Sequence, residues 1–281
     1  MDNNVMDNNA MGNNLIDNNA YPNLKDLLIL FLVVLLFMFG TGVVAAICQL
    51  IPNVRITPLI QSFQNMVAYI VGMLATIWYA ARKSRKRQAE SDTLGLGFNK
   101  FPGWLIPVLI PGALAMVVGM DRLSTLIPMP DSVAQFFESL FKNDVFSVMI
   151  IAVAAPILEE IFCRGIVLKG LLQNYPARKA IIYSALFFAL IHLNPWQSIP
   201  AFFAGLFLGW IYYKTRSVIP GIIVHAVVNT TAVLSMFLPK EQQDVLGLLG
   251  TPAYIVVFIA AMVVFSAVCW YIQKKMPSGN P

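Results

Sequence analysis

Long apolar runs separated by short polar connections constrain this chain more than any other feature. A bilayer core about 30 Å thick takes roughly 20 apolar residues per helical crossing. Stretches of this kind recur at about 27–50, 57–81, 104–120, 145–172, 180–193, 199–213, 218–238 and 252–272. The pattern predicts an all-α, polytopic transmembrane bundle of about eight membrane helices, the fifth and sixth short enough to form a re-entrant pair. Composition agrees, since hydrophobic residues make up 58% of the 281 residues, charged residues 12%, and mean hydropathy is +0.71. Soluble domains carry about 25% charged residues, so an ordinary soluble domain is excluded. The net charge of +5 is confined largely to short loops, which also argues against a nucleic-acid partner.

The loops orient the bundle. If the RKSRKR cluster after the second run is cytoplasmic, fourteen of the 19 basic residues, from Lys25 through 82–87 to Lys274 and Lys275, share that side. Only Arg55, Arg122, Lys142 and Lys240 fall outside, and Arg164 is left within a run. The positive-inside rule then predicts a multi-pass integral membrane protein with both termini in the cytoplasm. Residues 1–23 repeat Asn-Asn with a period of five and read as a disordered tail, which leaves 24–276 as a single transmembrane domain. Between the third and fourth runs, Val133, Phe136, Phe137, Leu140 and Phe141 recur at helical spacing among Asp131, Gln135 and Glu138. This predicts an interfacial amphipathic helix, a surface anchor or packing element rather than a substrate lid. Cys48, Cys163 and Cys269 lack the spacing of a disulfide framework or a cysteine zinc site. Gly205 and Gly209, spaced as GxxxG, predict close helix contact within the chain rather than dimerisation.

Ionisable residues inside such runs are expensive and point to function. The fourth run reads AAPILEEIFCRGIVL. Glu160 and Arg164 are four residues apart on one face, so they can hold each other's charge in low dielectric. Glu159 points about 100° away and has no such partner in its helix, which suits it to take and return a proton. Both histidines of the chain, His192 and His225, also lie in predicted membrane helices, and Asn229 falls one turn after His225. A glutamate, two histidines and an amide can activate water, polarise a carbonyl and stabilise an oxyanion. Pro156, Pro195, Pro200 and Pro220 allow the tilted or broken helices that would bring these residues to one depth.

In this order and on separate hydrophobic helices, the residues resemble three motifs of the CAAX protease and bacteriocin-processing (CPBP or Abi) family. Glu159 to Arg164 is similar to its EExxxR motif, Phe188 to His192 to its FxxxH motif, and His225 to Asn229 to its HxxxN motif, all within about 145–238. The resemblance implies a helical intramembrane endopeptidase acting on membrane-associated, leader-peptide or lipidated CAAX-like substrates. In it Glu159 activates water, His192 orients water or stabilises the oxyanion, and His225 with Asn229 polarises the scissile carbonyl. Glu160, Arg164 and Phe188 are supporting motif residues. The family is often classed with metalloproteases, and Glu159, His192 and His225 would be the ligands of a divalent metal such as zinc. The chain has no HExxH and shows no carboxylate near either histidine in sequence, which favours a site requiring no metal. Two other readings of the buried residues are a proton-coupled transporter and a non-catalytic immunity or scaffold protein.

Overall fold

A computed structural model describes residues 20–50, 56–87, 95–123, 125–140 and 142–277. The Asn-rich repeat up to residue 19, Arg55 and Phe141 lie outside them. Asn23 starts helix α1 (Leu24–Gln49) with a capping box: its side chain accepts from the N–H groups of Lys25 and Asp26, and Asp26 accepts from the Asn23 N–H. Helix α2 (Pro58–Arg87) packs antiparallel to α1, and its last residue, Arg87, pairs with Asp26. Then come α3 (Leu105–Met120) and the amphipathic α4 (Asp131–Leu140). Helix α5 (Val145–Asn174) is continuous but widens to π-helix over Ile150–Ala154 and Ile161–Leu168. The rest comprises α6 (Ala177–Leu190), α7 (Pro195–Thr215), α8 (Ile219–Ser235), the short α9 (Val245–Leu249) and α10 (Thr251–Lys275).

Each apolar stretch of the sequence is therefore helical, and an isolated antiparallel bridge, Phe98 to Ser217, is the extended pairing among the described residues. Among the described residues four helices, α1, α2, α5 and α10, have by themselves the length and apolarity to cross a bilayer, while α3 and α8 are shorter apolar helices. The protein is an integral membrane protein. Buried side chains form two clusters, one around Leu30, Met73, Phe162 and Phe188 from α1, α2, α5 and α6, the other around Leu109, Leu208, Val224 and Ile272 from α3, α7, α8 and α10. Leu36, Trp78, Val256 and Val263 face outward, as lipid-facing positions must in a bundle whose solvent is hydrocarbon. Gly205 packs against Ala185 and Gly209 against Ile181, so the GxxxG pair joins α7 to α6 within the chain.

The long helices alternate in direction between two ends. At one end Asn174 donates to the carbonyls of Ala20 and Pro22, Lys214 to those of Met276 and Pro277, and Asn99 to that of Arg216. This end gathers Lys25, Arg82–Arg87, Lys100 and Lys274–Lys275. At the other, Lys142 donates to Gln61, Asn143 to the Met236 carbonyl, Lys240 to Glu138 and Trp196 to the Ile127 carbonyl.

Asp144 organises this second end. It caps α5 by accepting from the N–H groups of Phe146 and Ser147, and it accepts from Ser62 Oγ of α2 at 2.5 Å. Burial works against the carboxylate, but these hydrogen bonds outweigh it and hold its carboxyl below the usual carboxylate range. Asp144→Ala should cost about 0.5–2 kcal/mol, read as a lower thermal midpoint in detergent. Because the folded group titrates below its ordinary value of 3.8, the deficit is full above that pH and vanishes as pH falls through the folded titration.

Candidate active site

Helix α5 carries adjacent glutamates into different surroundings. Glu160 and Arg164 are both 0% exposed and close an ion pair at 2.7 Å, Oε1 to Nη1. Arg164 also donates from Nη2 to the Gly205 carbonyl at 3.3 Å, and its guanidinium lies 4.5 Å from the Phe188 ring centroid. Removing one member of such a buried pair typically costs about 3–5 kcal/mol, because the survivor is left charged in low dielectric. The same Glu160 Oε1 lies 3.2 Å from His225 Nδ1. An ionised carboxylate only accepts, so Nδ1 carries the hydrogen and Nε2 is turned toward Glu159 Oε2, 3.8 Å away. The expectation that no carboxylate backs either histidine is thus corrected: 65 residues of sequence separate this pair, and only the packing of α8 on α5 brings it together.

Glu159 also has a partner from outside its helix. Tyr69 of α2 donates its hydroxyl to Glu159 Oε1 at 2.8 Å. Tyr69 belongs to no motif, yet a signal was present, since Gln61, Asn65 and Tyr69 fall at i, i+4 and i+8 and form a polar stripe along one side of the helix.

The π-helical stretch explains the position of Asn229. The Ala155 N–H bonds the Ile150 carbonyl, and Pro156, next in line, has no N–H to offer the Ile151 carbonyl. Asn229 Nδ2 fills the gap at 2.8 Å, which locks α8 to α5 and leaves the second amide N–H and Oδ1 for other partners.

His192 sits just beyond the end of α6. That helix has 14 residues, about 21 Å at 1.5 Å per residue, and so stops short of a bilayer's thickness. The turn into α7 is tight: Leu193 takes φ +59°, the left-handed region disfavoured for L-residues, and Asn194 ties the turn by donating to the His192 carbonyl and capping α7 at Gln197. His192 Nδ1 lies 2.8 Å from the Phe188 carbonyl. A carbonyl only accepts, so Nδ1 donates and Nε2 presents a lone pair in the neutral ring. Phe188 packs edge-on to both imidazoles, with centroids 5.0 Å from His192 and 5.7 Å from His225.

Glu159, His192, His225, Asn229, Tyr69 and Phe188 all line one cavity of about 610 Å³. Residues 141–231, which span all three motifs, match the family model described as type II CAAX prenyl endopeptidase Rce1-like. The matched stretch is 91 of the 281 residues and is similar to that family. No curated protein and no solved structure matches the chain.

Among the described residues, no three His, Cys, Asp or Glu side chains are grouped to hold a metal ion. Glu159, His192 and His225 share a cavity without being grouped as the ligand set considered for zinc. A Cβ on Gly221 would lie 2.6 Å from Glu160 Oε2, and Glu160 cannot yield because Arg164 and His225 hold its other oxygen. Gly221→Ala should therefore lower both the thermal midpoint and activity. Tyr69→Phe should fold as the wild type and lose activity by about tenfold, the worth of one hydrogen bond to a charged group at about 1.5 kcal/mol. Thermal unfolding beside turnover separates the two effects.

Proposed function

We propose that the protein is an intramembrane endopeptidase in which Glu159 activates water to hydrolyse a peptide bond of a membrane-associated or lipidated substrate. The observation that carries this reading is that Glu159 and His225 meet at the wall of one cavity, with Tyr69 on one side and Glu160 behind the imidazole. The Rce1-like match supports the reaction class.

Water bound beside Glu159 gives it a proton while the oxygen bonds to the scissile carbonyl carbon. His192, with Nδ1–H committed to the Phe188 carbonyl, accepts from that water through Nε2 and sets its orientation. The developing oxyanion receives the free amide N–H of Asn229 and, when Nε2 also carries a proton, His225. Collapse of the tetrahedral intermediate breaks the C–N bond, and Glu159 returns the proton to the departing amine. Glu160 and Arg164 touch no reacting atom and act by positioning His225 and Phe188. The orientation proposed with this chemistry places the basic end, and both termini, in the cytoplasm.

The test compares new protein termini in membranes holding wild type or Glu159→Gln at equal folded abundance. Termini that depend on Glu159 should fall by about 10²–10⁴-fold in rate, the range for loss of a general base. Equal sets of termini in the two membranes would sink the protease reading and return the buried glutamate and histidine to proton transfer or structure.

A further inference from the structure

The cavity that holds the candidate site extends to one end of the bundle. Its upper wall comes from the end opposite the basic residues: Met120 closes α3, His192 and Asn194 form the α6–α7 turn, and Ala232 lies in the last turn of α8. A second cavity of about 710 Å³ continues it outward and shares Phe137, Ile151, Asn194, Gln197 and Ala232 with it. Glu138, Lys142, Asn143, Lys240 and Gln243 line this vestibule, whereas the inner cavity is walled mainly by apolar side chains. Toward the basic end there is a plug instead, since Phe162, Cys163, Arg164 and Val167 are each 0% exposed.

We infer that the site is loaded from the end poor in basic residues. In the proposed orientation this is the extracytoplasmic face, so the substrate is a polypeptide segment presented there, with its polar flank in the vestibule and an apolar residue in the inner cavity. This rests on the endopeptidase reading and its orientation, and it excludes C-terminal tails held at the cytoplasmic surface.

Thiol accessibility tests the geometry without a substrate. Gln243→Cys and Met129→Cys, both at exposed vestibule positions, and Lys83→Cys at the basic end would be treated in intact cells with a membrane-impermeant maleimide, against wild type with its native cysteines. Expected is labelling of the vestibule cysteines to the same extent in intact and permeabilised cells, with Lys83→Cys labelled only after permeabilisation. The reverse pattern overturns the inference. Mapping Glu159-dependent termini completes the test. If they fall in extracytoplasmic segments the inference stands; if they fall in cytoplasmic segments the inference fails while the protease survives. If no such termini form despite vestibule labelling, the protease reading fails and the substrate assignment with it, and only the outward opening of the cavity is retained.

Discussion

A charged pair held out of water governs the interior of this protein. Glu160 and Arg164 lie fully buried at 2.7 Å, and neither could be tolerated there alone. Keeping them paired requires helix α7 to bring the Gly205 carbonyl to Arg164, α6 to lay Phe188 against the guanidinium, and α8 to present His225 to Glu160. Four helices are thus tied around one ion pair. That arrangement fixes the imidazole of His225 by one nitrogen and leaves the other facing Glu159.

The neighbouring glutamates show how environment divides identical side chains. Glu160 sees a guanidinium and an imidazole in a sealed core, and Gly221 approaches it so closely that no larger residue fits. Glu159, one residue earlier, sees a tyrosine hydroxyl and an open cavity. The first is a strut and the second faces the open cavity. The proline in α5 contributes in the same way: by withholding an N–H it leaves a carbonyl that Asn229 satisfies, so a local defect in one helix positions a side chain of another at the cavity wall.

Closure and opening of the bundle follow from where polar and apolar groups can be satisfied. The end rich in lysine and arginine is packed shut by core residues of α5, while the opposite end carries loops, the amphipathic α4 and a vestibule of charged and amide side chains. In α4, Phe137 turns inward to line both cavities while Phe136, 58% exposed, faces out. The amphipathic segment thus contributes to the cavity wall in addition to covering a surface.

The sequence by itself determined the class of fold, the positions of the long helices and the pairing of Glu160 with Arg164, because these depend on apolar run length and on contacts within one helix turn. The three motifs were legible for the same reason, each lying on a single helix. What tertiary structure decided was everything that crosses between helices. Glu160 behind His225 is 65 residues distant, and Tyr69 on Glu159 is 90 residues distant. The meeting of His192 and Glu159 at one cavity depends on a helix too short to span and on a left-handed turn at Leu193. Periodicity along a chain records which face of a helix is polar; it holds no record of which other helix that face will meet, and the chemistry of this cavity is set by those meetings.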